Sequence, residues 1–258
     1  DPRFNVKFGS HTGNVGFNLN ESIRRSRGEF IAVLGADDLW EENKLSRQLD
    51  FMKDENVVCS NGIVIDAADR IFLPSVLHFK NKKYIDLEDL FIENCILASS
   101  VLARKSVFIE CLMFDEEIGN RSEDYALWFR IAQKYRIRYI DEKLVRYRVH
   151  GNNLSLRSSE NKIEVHMRNL QLIEQNAHMH PEFYVFAEKG RSQIYGKLSR
   201  LYNSEKSLDS SLYWCKMLLR VDRPRFSLRF TKYLCFYIFL YFKKCLMPAK
   251  SKLNKHED

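Results

Sequence analysis

Two adjacent aspartates, Asp37 and Asp38, follow the compact apolar run Phe30 to Leu34 across a Gly35-Ala36 step. A short apolar run of this kind predicts a buried strand. In open α/β sheets, ligands bind outside the carboxyl ends of the strands. Paired carboxylates at such an edge suit a hard divalent cation, which in turn holds a diphosphate. A second acidic pair, Glu123-Asp124, opens an amphipathic stretch. A carboxylate at a helix N-terminus is stabilised by the helix dipole and stays ionised, which suits a general base. The third feature is Tyr147-Arg148-Val149-His150, where a strand-like run exits into Gly151-Asn152-Asn153 with an imidazole at its end. Each feature also has a plainer reading. Asp38 and the Glu-Asp pair fit helix caps, and a lone histidine is often structural.

The elements that must carry these residues alternate as strands and helices up to about residue 155, the signature of an α/β fold. Asn5 to Phe8 reads as a short strand, and Asn18 or Asn20 as the cap of a helix running to Arg27 and stopped by Gly28. A helix after Asp38 is predicted with Leu45, Leu49 and Met52 on its apolar face. Val57 to Ile65, Arg70 to Phe72, Ile96 to Ala103, Ile137 to Ile140 and Leu144 to Val149 read as strands. Leu87 to Glu93 is predicted as a short helix and Tyr125 to Tyr135 as an amphipathic one. After Ser155 the texture changes: Ile163 to Gln175, Glu182 to Tyr202 and Leu208 to Leu219 all read as helices. The predicted organisation is an α/β domain over 1–155 and a helical region over 156–258.

Composition narrows the class. With 45% hydrophobic and 29% charged residues, the 258-residue chain is globular rather than disordered or fibrous. Its net charge of +7 is unevenly placed. Arg220 to Asp258 holds ten Lys/Arg and three acids, so the remainder is neutral. A general nucleic-acid surface is therefore not expected, and the basic tail also lacks the Gly/aromatic interleaving of RNA binders. The six cysteines form no C-x-x-C pair and no zinc-spaced cluster, which predicts free thiols in a reducing compartment. Within the tail, Tyr233 to Phe242 is an uncharged, aromatic-rich run flanked by Arg229, Lys232, Lys243 and Lys244. It is too short to span a bilayer, which takes about 20 residues, but suits a helix over 221–247 lying in an anionic membrane surface. The competing expectation is a helix buried against the helical region.

Taken in order, the motifs resemble family 2 glycosyltransferases, the inverting group with the GT-A fold. Asn14-Val15-Gly16, Asn20, Arg27 to Ala32, Gly35 to Trp40 and Lys44-Leu45 follow that family's nucleotide-sugar half. Phe114-Asp115-Glu116, Ser122 to Trp128 and Tyr147 to His150 follow its acceptor half. The likeness covers roughly residues 3 to 155.

The resemblance implies a GT-A-like, Rossmann-like mixed sheet flanked by helices, with a helical C-terminal region. It implies Mn2+ or Mg2+ bound by Asp37, Asp38 and His150 together with the donor diphosphate, and Asp124 as the catalytic base. Asn14, Gly16, Asn20, Asp37 and Glu123 are implied on the nucleotide-sugar side. Gly35 stands where the family's first motif aspartate would be, and Leu19 replaces an arginine common before Asn20. The family also opens with a strand, helix and second strand, about 40–50 residues at ordinary lengths. No counterpart precedes Asp1, so the chain is expected to be an N-terminally truncated member lacking its first strand. The implied activity is inverting sugar transfer from a nucleotide-sugar donor to a glycan or lipid-linked glycan acceptor, in surface polysaccharide biosynthesis on the cytoplasmic face of a membrane. The alternative is a non-catalytic remnant that binds a partner or a membrane. Ser99 and Ser100 lie along the family's acceptor-side strand, where a plain strand role is equally open.

Overall fold

The computed structural model describes residues 13–77, 79, 81–118, 122–150, 153, 158–221 and 228–246. The strand expected at Asn5 to Phe8 and the boundary expected near residue 155 fall outside them.

Helix α1 (Val15–Arg25) starts earlier than an Asn18 or Asn20 cap would set it. Its cap is Asn14, whose side-chain oxygen accepts from the Phe17 amide at 2.9 Å. Seven strands then form one mixed sheet: β1 (Phe30–Ala32), β2 (Leu39–Trp40), β3 (Val57–Ile65), β4 (Ile71–Leu73), β5 (Tyr84–Ile85), β6 (Leu102–Arg104) and β7 (Ile137–Arg148). The order is β1-β6-β3-β7-β2, with β4 added to β3 and β5 to β7. Among the described strands only β3 and β7 pair in parallel. Because β6 is antiparallel to both β1 and β3, strands β1, β3 and β7 all point the same way. Their carboxyl ends therefore share one edge, and Asp37 and His150 follow two of those ends.

The run Ile137 to Val149 is one strand, not two. The polar Asp141-Glu142-Lys143 stretch reads as a break, but Asp141 accepts from buried Asn61 (2.8 Å) and from the Tyr139 hydroxyl (2.7 Å). The strand carries these residues through a register shift opposite Asn61.

Helix α2 (Lys44–Phe51) departs from its predicted face. Leu45 and Leu49 are exposed, while Lys44 and Gln48 are wholly buried beside Met52. The polar pair sits one turn apart and satisfies itself, with Lys44 Nζ donating to Gln48 Oε1 at 2.7 Å. Helices α3 (Leu87–Ile92), α4 (Lys105–Glu110) and α5 (Glu123–Lys134) complete the α/β part. Only Tyr135 and Arg136 separate α5 from β7. Helix α5 thus runs back against the strand direction, and its first turn lies toward the edge where β1 and β7 exit.

Helices α6 (Ser159–Met179), α7 (Tyr184–Ser204), α8 (Leu208–Val221) and α9 (Leu228–Leu246) follow in sequence. Each packs on the one before. The core does not stop at the α/β part. Leu172, Ile173 and Ala177 of α6 and Ala187, Ile194 and Leu198 of α7 join the cluster formed by Val57, Phe91, Trp128 and Ile137. The five described cysteines are free thiols, four of them buried.

Candidate functional site

Between β1 and β2 the chain turns sharply, with the Asp38 amide donating to the Gly35 carbonyl at 3.1 Å. This turn presents Asp37 outward and folds Asp38 back. Asp38 Oδ2 accepts from the Ser99 hydroxyl at 2.5 Å, and Oδ1 accepts from the Arg148 amide at 3.0 Å. Burial pushes the Asp38 carboxyl up, while those two donors pull it down. With a donor on each oxygen, Asp38 supports the turn. Gly35 permits the fold-back. A Cβ there would lie 2.9 Å from Asp38 Oδ2 and 3.3 Å from Ser99 Oγ. An aspartate at this position is incompatible with Asp38 as it stands.

Asp37 keeps an exposed carboxylate, and His150 Nε2 lies 3.0 Å from its Oδ2. His150 is set by Asn153, whose side-chain oxygen accepts from the His150 amide and whose Nδ2 donates to the Arg148 carbonyl at 3.1 Å. Arg148 clamps the whole turn: Nε donates to the Asp37 carbonyl at 2.9 Å, and Nη1 reaches Asp69 Oδ1 at 2.6 Å on the β3–β4 hairpin. Among the described residues no group of three or more His, Cys, Asp or Glu forms a cation cage. The Asp37–His150 pair nevertheless fits two neighbouring ligands of Mg2+ or Mn2+. Such cations take bonds of about 2.1 Å and complete their shell with waters and substrate phosphates.

Ser99 sits on a 3₁₀ turn, Ala98–Ser100, where a continuous strand was expected from Ile96. The turn exists because its backbone closes on itself (Ser100 amide to Leu97 carbonyl, 2.9 Å) and because its carbonyls are claimed from α2 and β2. Trp40 Nε1 donates to the Ser99 carbonyl at 2.8 Å, and Gln48 Nε2 to the Ser100 carbonyl at 2.7 Å. Lys44 Nζ holds Gln48 and lies 4.3 Å from the centre of the Trp40 ring. Ser99 is thereby aimed at Asp38, a role its sequence context did not reveal.

Burial lowers the Lys44 ammonium to about 8. The unfolded chain then binds more protons than the native one between about 8 and 10.4, so native stability rises with pH across that window. Replacing Lys44 by Met removes this effect. Relative to Lys44→Met, wild type is expected to gain on the order of 2–3 kcal/mol between pH 7 and pH 10.5. Urea midpoints of both proteins at the two pH values test this, and a pH-independent difference would contradict a buried, depressed Lys44.

Asp124 lies in the first turn of α5, after Ser122 in left-handed conformation (φ 72°). Its Oδ1 accepts from the Tyr125 amide at 2.7 Å, and Asn94 Nδ2 faces both oxygens at 3.4 Å. Tyr125 is itself anchored, its hydroxyl donating to the Leu90 carbonyl at the end of α3. Burial raises the Asp124 carboxyl above the usual range. Burial, then the neighbouring Asp124 charge, pushes Glu123 up to about 7. Raised, adjacent carboxyls are how proteins hold a base near neutrality. Asn94 and Ser99 are five residues apart, so one short segment touches both Asp124 and Asp38. An extended chain of that length spans at most about 18 Å.

Asn14, Gly16 and Asn20 all face the Phe114–Glu116 segment. Asn20 is buried, accepting from the Phe114 amide (2.9 Å) and donating to the Phe114 carbonyl and Glu116 Oε1 (both 2.8 Å). Asn14 Nδ2 donates to the Glu116 carbonyl at 2.8 Å. A Cβ on Gly16 would lie 3.1 Å from the Asp115 carbonyl. These three residues seat α1 on the Phe114–Glu116 segment. Gly151 and Asn152, which follow His150 in the third motif, lie outside the described residues.

Comparison with known proteins agrees with this architecture. The family model "Glycosyl transferase family 2" matches residues 1–112. MJ1057, an uncharacterized glycosyltransferase of Methanocaldococcus jannaschii, is 32% identical over 142 residues, 52% of this chain and 47% of that one. TuaG of Bacillus subtilis, a glycosyltransferase assigned to teichuronic acid biosynthesis, is 26% identical over 60% of each chain. The S. aureus TarS 1–349 structure in complex with UDP has a TM-score of 0.56 and 15% identity, covering 91% of this chain and 70% of that one. Its UDP-GlcNAc complex gives 0.56 and 15%, covering 92% and 72%. That likeness shows the GT-A-like fold. The chain spans about half the length of the first curated relatives it matches.

Proposed function

We propose that the chain, whose residues 1–112 match the family 2 glycosyltransferase model, moves a sugar from a nucleoside-diphosphate sugar to an acceptor hydroxyl with inversion. The observation that carries the reading is the meeting of Asp37 with His150 at 3.0 Å, on the sheet edge toward which the first turn of α5 also lies. Asp124 takes the proton of the acceptor hydroxyl. The hydroxyl oxygen forms the new bond to the anomeric carbon as the bond to the diphosphate oxygen breaks, so the anomeric configuration inverts. Asp37 and His150 would hold Mn2+ or Mg2+, whose chemistry is to neutralise charge on the departing diphosphate. Asp38, Ser99 and Arg148 keep Asp37 in place.

The UDP and UDP-GlcNAc in the TarS structures support a uridine-diphosphate donor, and TuaG supports an acceptor in cell-surface polysaccharide synthesis. Titration calorimetry with UDP tests the reading. Mn2+ is expected to tighten UDP binding by about tenfold or more over an EDTA control, and Asp37→Ala to abolish the difference. Equal UDP affinity with and without the metal would refute the assigned site.

A further inference from the structure

Among the described side chains, helix α9 packs on α8 and α7 through one face. Leu240 is buried there with Leu208 and Cys215, and Phe236 and Tyr237 pack against them. The Tyr233 carbonyl accepts from Cys215 Sγ, and its hydroxyl meets Arg200. Lys243 reaches Asn203, and Lys244 pairs with Asp209. These contacts fix the rotation of the helix. Leu234, Cys235, Ile238, Phe239, Tyr241 and Phe242 are left on the outside, with Phe239 56% and Phe242 60% exposed. At 100° per residue these six cover an arc of about 160°, and none carries a charge.

An outward apolar face of this width is more than scattered surface hydrophobicity. Its occupant follows from the charge that flanks it in the sequence. All of the net charge of the chain lies in Arg220 to Asp258, and between Arg223 and His256 that stretch contains no acid. Among the described residues no helix is long and apolar enough to cross a membrane. We propose that the outer face of α9 lies in the plane of an anionic lipid surface, its aromatics entering the headgroup boundary while Lys and Arg that flank it in the sequence meet lipid phosphates. The inner face stays on α8, so docking needs no unfolding of the helical stack.

Co-flotation of the full chain with vesicles tests this, using phosphatidylcholine alone and with about one-third phosphatidylglycerol, at low and high salt. The chain is expected to float with the anionic vesicles, to weaken several-fold at high salt, and to be left behind by neutral ones. Ile238→Ser/Phe242→Ser is expected to lower anionic-vesicle binding by about tenfold or more while leaving the thermal midpoint in place, since both side chains are exposed. Leu240→Ser, on the inner face, should instead lower the thermal midpoint. The proposal is overturned if the chain does not float with anionic vesicles, or if the double variant floats as well as wild type. It is equally overturned if the outer face proves to be a contact between two copies, with a dimer in solution that the double variant dissociates and no vesicle binding.

Discussion

Asp124→Asn is expected to lower the transfer rate by about 10² to 10⁴ while leaving UDP-sugar affinity within about twofold. The amide keeps the shape, and its oxygen can still accept from the Tyr125 amide. It cannot take a proton from the acceptor. The neighbouring asparagine accommodates the change: Asn94 Oδ1 is buried without a partner, and turning that side chain would let it accept from the new amide. Folding supplies the control. A carboxyl whose native pKa is raised disfavours the native state once ionised, so stability falls as pH rises through the raised value. Removing it should make the variant at least as stable as wild type at pH 7, with the gap closing near pH 4. Loss of turnover together with retained or increased stability would separate chemistry from folding. In wild type, the acid limb of kcat/KM should sit well above the ordinary carboxylate range, because Glu123 and Asp124 titrate as a pair and both are pushed up by burial. Turnover near the wild-type rate in Asp124→Asn would remove it as the base.

The parts of this site legible in the sequence are those where a local pattern coincides with a structural one. The apolar run before Asp37, the uninterrupted Val57–Ile65 strand and the amphipathic stretch after Glu123 each declare themselves by composition and period. What stayed hidden depends on partners distant in sequence. Ser99 reads as a strand residue because nothing nearby announces that Trp40, Gln48 and Asp38 will claim its turn. Lys44 and Gln48 read as the wet side of α2, because periodicity alone assigns the apolar leucines inward. Asn20 resembles a ligand-binding residue but spends its hydrogen bonds on Phe114 and Glu116, 94 and 96 residues away. A polar side chain that closes a long-range contact and one that waits for a ligand look alike until the fold is known.

The same long-range logic makes Gly190 the position with the largest expected effect on stability. It lies in the middle of α7, where helix propensity alone predicts that alanine would help by about 1 kcal/mol. Packing predicts the opposite. A Cβ at 190 would meet the Phe91 backbone carbonyl of α3 well inside 3.0 Å, a separation real Cβ atoms essentially never show, and would press on Ile173 of α6 at 3.0 Å. Backbone cannot swing aside as a side chain does, so the helices must separate. Overpacking of this kind costs about 1–3 kcal/mol and more where backbone must move. Gly190→Ala is therefore expected to destabilise by about 2 kcal/mol or more after the propensity gain. Gly196, six residues further along α7, provides the contrast. Its Cβ would approach the Tyr233 hydroxyl at 2.5 Å, the far end of a side chain that can yield, so Gly196→Ala should cost less. Urea midpoints that rank the two variants equally, or in reverse, would contradict the backbone clash. The consequence reaches the candidate base. Phe91 adjoins Leu90, whose carbonyl holds Tyr125, and α3 leads directly to Asn94, which faces Asp124. Prising α7 from α3 should therefore slow turnover in the Gly190→Ala molecules that do fold, with UDP affinity retained because Asp37, Asp38 and His150 are held by other elements.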